Sequence, residues 1–162
     1  MIVADTSPLI FLARVGMLPA LGPLFDDVII PPEVLDEATA DLRRPGAKPI
    51  ADAVSEGRLR VVPARDEEML EQLAQSVDRG EASAIALALE RDVRGVLIDD
   101  RAGRRLAEQH GLLPVGTLGV LVRAARHGLV QDASALLDSL EAAGFPMDEA
   151  SRQRVEALLR LE

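Results

Sequence analysis

Four acidic stations stand where strand or helix signals begin or end. They are Asp5 in Val3-Ala4-Asp5-Thr6-Ser7-Pro8, Glu37 in Pro31-Pro32-Glu33-Val34-Leu35-Asp36-Glu37, Glu81 in Gly80-Glu81-Ala82-Ser83, and Asp99-Asp100 in Val96-Leu97-Ile98-Asp99-Asp100-Arg101. Open parallel sheets place their sites at the carboxyl ends of strands, where Asp5 and the Asp99-Asp100 pair are expected. Carboxylates gathered at one such edge repel one another unless protons or cations intervene. The hard cations that take oxygen ligands are Mg²⁺ and Mn²⁺. The chemistry these residues suggest is metal-assisted reaction at phosphate.

Each station also has a structural explanation. Asp5 can share the capping of a first helix with Thr6 and Ser7. Glu37 follows Glu33 by one turn, as on any solvated helix face. Asp78-x-x-Glu81 has the spacing of a capping box, so Glu81 can satisfy helix N–H groups. The Asp99-Asp100 pair is the sharpest signal, because a turn after an apolar strand needs only one acid. Arg101, Arg104 and Arg105 follow closely and suit either a substrate phosphate or an exposed helix face. Thr117 in Gly116-Thr117-Leu118-Gly119 reads as a helix cap whose place after a strand leaves a site role open. With Ser7, Arg101 and Arg104 it completes the candidate substrate contacts. Arg43, Arg44 and Lys48 form one other basic patch, read as a solvated loop.

Composition narrows the options. The chain has no cysteine, which removes disulfides, thiol chemistry and the usual zinc sites. His110 and His127 fall in separate segments, so the expected metal site is all-oxygen. A net charge of −9 argues at first against nucleic acid, whose phosphates are normally met by Lys and Arg. Three Phe with no Tyr or Trp argue against gripping single strands by stacking. No leader precedes Asp5, and the apolar run 9–13 is too short to span a bilayer, so a cytoplasmic protein without membrane contact is expected.

The elements that must carry these residues alternate. Strands are expected at 2–4, 28–30, 59–62, 95–98 and 113–115. Helices are expected at 9–14 with Ser7 as N-cap and Pro8 at the first position, at 32–40, and at 50–56 after a mobile loop 43–49. Further helices are expected at 67–75 capped by Asp66, at 78–90, at 102–110 ended by Gly111, and at 118–126 capped by Thr117. Two more, 133–143 and 148–161, carry apolar stripes (Leu136, Leu137, Leu140; Val155, Leu158, Leu159) that suit an interface or a cover for the sheet. The expected fold class is α/β: a three-layer sandwich with a mainly parallel sheet of four to five strands flanked by helices. It forms one domain, 1–162, with a core of about 1–127 and a C-terminal helical extension of about 128–162.

Taken in order, these motifs resemble the PIN domain family, closest to a bacterial and archaeal subfamily of predicted PIN nucleases related to VapC-type toxins. The matching residues are Asp5-Thr6-Ser7-Pro8-Leu9-Ile10, Ile30-Pro31-x-x-Val34-x-x-Glu37, Gly80-Glu81-x-x-Ala84-Ile85-x-Leu87-Ala88, Leu97-Ile98-Asp99-Asp100-x-x-Gly103-Arg104 and Gly116-Thr117-x-Gly119. The resemblance implies acids converging at one end of a parallel sheet to bind Mg²⁺ or Mn²⁺. Asp5 matches the family's first acid, Glu37 its second, Glu81 its third, and Asp99 or Asp100 its fourth. Many relatives carry Asp at the third station. Spacing to the Thr-x-Asp of other relatives favours Asp100, while the subfamily's double Asp favours Asp99, and both stay open.

The implied activity is a metal-dependent endoribonuclease. Asp5, Glu81 and Asp99 or Asp100 would hold one or two cations, with Glu37 as ligand or orienter. Relatives of this kind imply an RNA substrate, a homodimer and a small antitoxin protein as partner. A non-catalytic PIN-like module acting through protein contacts is the alternative. Phosphotransfer through Asp5 fits poorly. Phosphatases of the haloacid dehalogenase type want Asp where Ser7 stands, and receiver domains want a late lysine, whereas Lys48 is the sole lysine.

Overall fold

Short apolar runs become the strands of one sheet in the computed structural model, which describes residues 1–160. They are β1 (Ile2–Ala4), β2 (Val28–Ile30), β3 (Arg60–Val61), β4 (Gly95–Leu97) and β5 (Leu113–Val115). All pair in parallel, in the order β3-β2-β1-β4-β5. The chain steps outward from β1 to β3, then returns to the far side of β1 for β4 and β5. The reversal of strand order lies between β1 and β4, the place where such sheets hold ligands. There the Asp5 N–H donates to the Leu97 carbonyl at 2.9 Å, so Asp5 and the turn carrying Asp99-Asp100 leave the sheet side by side.

The strands alternate cleanly. Ile2, Ala4, Val28, Ile30 and Leu97 face one core, and Val3, Ile29, Val96 and Ile98 face the other. The first face is covered by α1 (Thr6–Arg14), α2 (Leu21–Phe25), α3 (Pro32–Ala38), α4 (Ala47–Ser55) and α8 (Thr117–Arg126). The second is covered by α5 (Glu67–Leu73), α6 (Arg79–Glu90) and α7 (Arg101–Gln109). The result is the expected three-layer α/β arrangement. Helix α6 is buried from Gly80 to Ala88, and its many alanines let it lie close against the sheet.

Several boundaries differ from expectation. Helix α1 starts at Thr6 with Asp5 at the N-cap, so Ser7 is not the cap and Pro8 sits at the third position. The first N–H groups of a helix have no intrahelical partner, so proline costs nothing there. The same tolerance places Pro49 inside α4, which begins at Ala47 rather than 50 and takes in part of the expected loop. The 3-10 turn Leu18–Ala20 and helix α2 were not expected, because they are short and interrupted by Pro19, Gly22 and Pro23. Thr117 is not the cap of α8 but its first residue; Gly116 holds the cap position.

Helices α9 (Ala133–Ala142) and α10 (Glu149–Arg160) cover helices rather than the sheet. Leu137, Leu140 and Val155 pack with Leu121 and Val122 of α8 in a third core, which Phe11 and Phe145 join. Those two rings meet edge-on, 5.1 Å between centroids. Arg152 ties α10 to α9 through Asp138 at 2.7 Å and Glu141 at 3.1 Å, and it also pairs with Glu156. The expected end of the last helix at residue 161 lies outside the described residues. Among those residues no single helix is long and apolar enough to cross a membrane.

Candidate active site

Asp5 leaves β1 at the reversal point and is only 5% exposed. Burial pushes its carboxyl up to about 7; the charges of Glu81, Asp78 and Glu37 add to the rise, and a hydrogen bond from the Thr6 backbone opposes it. The first turn of α6 brings the next acids. Asp78 accepts the Glu81 N–H at 2.8 Å, and Glu81 Oε2 accepts the Asp78 N–H at 3.3 Å, closing the capping box. Capping is not all that Glu81 experiences. It is 6% exposed, and burial, followed by the charges of Asp78, Asp100 and Glu37, pushes its carboxyl up to about 7.

Glycine makes this crowding possible. A Cβ on Gly80 would stand 2.8 Å from Glu37 Oε2, 3.4 Å from Asp78 Oδ1 and 3.5 Å from Asp5 Oδ1. Three carboxylates from β1, α3 and the entry to α6 therefore share the space over one bare Cα. Across the site, a Cβ on Gly103 would press on the Ile98 side chain at 2.5 Å and on Glu81 Cδ at 3.4 Å. Glu37 is exposed yet held in place, because the Thr6 hydroxyl donates to its Oε2 at 3.1 Å. One turn earlier on α3, Glu33 Oε2 is buried without a hydrogen-bond partner.

The two adjacent acids after β4 diverge. Asp100 caps α7, accepting the N–H groups of Ala102 and Gly103 at 3.0 and 3.1 Å, and its charge acts on Glu81. Asp99 turns toward β5–α8, where Thr117 donates its N–H at 2.7 Å and its hydroxyl at 2.6 Å. Burial raises the Asp99 carboxyl, while Thr117 and the charge of Arg104 pull it back.

The expected substrate contacts are likewise sorted. Ser7 and Arg101 are exposed on the first turns of α1 and α7. Arg104 is half-buried, with its Nη1 donating to the Ile98 carbonyl at 3.0 Å. Thr117 is fully buried with its hydroxyl committed to Asp99, so it positions that acid rather than meeting solvent.

Asp5, Glu37, Glu81 and Asp100 are thus neighbours, joined by Asp78, which the sequence offered only as a cap. Asp78 and Thr6 are the residues that motif reading missed as members of the site. The one sequence signal for Asp78 was its capping spacing to Glu81. The donors are all oxygen, and the charge crowded around the raised carboxyls of Asp5 and Glu81 suits a hard divalent cation. As the side chains stand, no three His, Asp or Glu among the described residues are arranged to hold one ion. Glu81 and Glu37 are instead turned to N–H and hydroxyl partners.

Acids gathered at the strand reversal of a three-layer α/β domain lie where open parallel sheets bind their ligands. The sequence pattern of the PIN domain family matches residues 1–160, and the chain belongs to that family. PIN domains are in general nucleases, hydrolases of phosphodiesters that usually use divalent metal ions. No curated protein and no solved structure matches the chain.

Proposed function

We propose that this PIN domain is a divalent-metal-dependent endoribonuclease. The observation that carries the reading is the gathering of Asp5, Glu37 and Asp78 around Gly80, with Glu81 buried beside them. Acids so placed gain stability only with protons or cations, and at neutral pH a cation is the productive choice. Asp5, Glu81 and Asp100 would hold Mg²⁺ or Mn²⁺. When bound, the cation neutralises charge on the phosphodiester and acidifies an attacking water.

The chain's own residues do the remaining work. Asp5 and Glu81 start from the end of a strand and a helix, so their backbones are fixed before substrate arrives. Glu37, steadied by the Thr6 hydroxyl, orients water or ligand at the exposed side of the centre. Asp99 holds the β5–α8 turn through Thr117 and sets its charge beside Arg104. A toxin role with a small antitoxin and a homodimeric state belong to the same reading; a short antitoxin-like reading frame beside the gene would favour them.

The test is Mn²⁺-dependent cleavage of a structured RNA by the native chain and by Asp5→Asn. The native chain is expected to cleave, and the variant to be inactive with its fold intact. Undiminished cleavage by Asp5→Asn would sink the assignment. The same assay on DNA decides substrate class.

A further inference from the structure

The net charge of −9 hides a local excess of the opposite sign. A cavity of about 490 Å³ lies between the β5–α8 turn and α10, walled in part by Arg104, Arg123 and Arg154. A second, of about 340 Å³, continues over α7 past Arg101 and Arg105. The two share Asp99 and Arg104, so they form one path. None of these five arginines is in an ion pair among the described residues. Three carboxylates stand near them without pairing: Asp99 beside Arg104, Asp148 beside Arg154, and Glu108 on the wall of the second cavity.

The three guanidiniums of the larger cavity are held by uncharged partners. Arg104 donates to the Ile98 carbonyl, Arg123 lies over the Phe25 ring at 5.6 Å, and Arg154 donates to the Ser151 hydroxyl at 3.1 Å. Each is thereby oriented while most of its five donors stay free. Two residues before Arg154, Arg152 shows the opposite use of the same side chain, matched to three carboxylates as a clasp between helices. Arginine left unmatched in a protein this acidic invites an anion from outside.

We propose that this arginine-walled cleft, α10 included, is the track along which the phosphodiester backbone of a single RNA strand runs to the acidic centre. The proposal rests on the nuclease reading above. Two cavities in series, with cations contributed by α7, α8 and α10, suit an extended polyanion better than one small phosphate. The amino end of α8 is already occupied by the Asp99 carboxylate, so guanidiniums rather than a helix end make the grip. Asp99 faces the track while its neighbour Asp100 faces Glu81, which joins track and centre across one peptide bond. The track also meets the objection raised by the overall acidity, because phosphate contact requires only local positive charge. Phe145, the aromatic residue on its wall, is already packed on Phe11, so backbone contact rather than base stacking sets affinity.

The experiment measures binding without cleavage. Asp5→Asn protein in EDTA is titrated with a fluorescein-labelled single-stranded RNA of about 15 nucleotides, and Kd is followed against salt. Adding Arg123→Glu and Arg154→Glu is expected to weaken binding at least tenfold and to reduce the slope of log Kd on log salt by about 1.4. Since Arg123 also packs on Phe25, the exposed Arg154→Gln is tested alone, with a slope reduction of about 0.7 expected. Arg91→Glu with Arg94→Glu, at the amino ends of the strands, makes the same change in net charge and is expected to leave affinity within twofold. Track variants that bind like their parent, or a control that weakens binding equally, overturn the proposal. If the track fails while Asp5→Asn still abolishes cleavage, the nuclease reading stands; if Asp5→Asn cleaves, that reading falls whatever the binding shows.

Discussion

Asp99 gives both of its carboxylate oxygens to Thr117, taking the backbone N–H at 2.7 Å and the hydroxyl at 2.6 Å. The pair fastens the exit of β4 to the start of α8 and replaces the side-chain cap that Thr117 itself would supply. A Cβ on Gly116 would stand 3.0 Å from both Asp99 Oδ1 and Arg104 Nη1, so the bare glycine lets acid, threonine and arginine meet.

Removing the hydroxyl tests this fastening. Thr117→Val keeps the shape but leaves a buried Asp99 oxygen without its donor, at a cost of about 1–3 kcal/mol. The expected reading is a Tm lowered by roughly 3–10 °C, with Thr117→Ser restoring most of the loss. Equal melting of Val and native proteins would show that the hydroxyl bond carries no stability.

Gly80→Ala separates site geometry from fold. Alanine favours a helix over glycine by about 1 kcal/mol, so thermal stability is expected to hold or rise. The new methyl would meet Glu37 Oε2 at 2.8 Å and drive that carboxylate from the Thr6 hydroxyl. Cleavage is expected to fall roughly a hundredfold, the scale of a small displacement in a reacting centre. A stable Gly80→Ala protein cleaving at the native rate would remove Glu37 from the mechanism.

What the sequence disclosed followed from how local each signal was. Strand runs such as Val28–Ile30 and caps such as Asp66 are decided by neighbouring residues, and they fell as expected. The start of α1 did not, because Pro8 is equally tolerated at several positions of a first turn. The acidic stations were visible singly, and their convergence followed only from the family resemblance, because it is set by strand order, which no local pattern encodes. The same limit hid the parting of Asp99 from Asp100: adjacent residues in a turn point apart, and only the position of Thr117, eighteen residues on, shows which way. It also hid the arginine track, since Arg104, Arg123 and Arg154 come from three separate helices.

The raised carboxyls give the metal-free protein an unusual pH response. Asp5 and Glu81 hold their protons up to about 7 in the fold, against ordinary values of 3.8 and 4.5. Between those limits the folded chain binds more protons than the unfolded one, so stability falls as pH rises. The contribution is fully present below about pH 4 and is lost as pH passes through about 7. In EDTA, Tm is therefore expected to drop from pH 5 to pH 8. Asp5→Asn, which no longer has an ionising group there, is expected to flatten that slope and to melt above the native chain at pH 8. The difference between the two curves reports Asp5 together with its coupling to Glu81, Asp78 and Glu37. A cation binds the deprotonated acids, so Mn²⁺ should stabilise the native chain more at pH 8 than at pH 5 and do little for Asp5→Asn. Native and variant curves that run parallel in EDTA would show that Asp5 is ionised throughout, and that burial and repulsion at the centre are relieved without a proton.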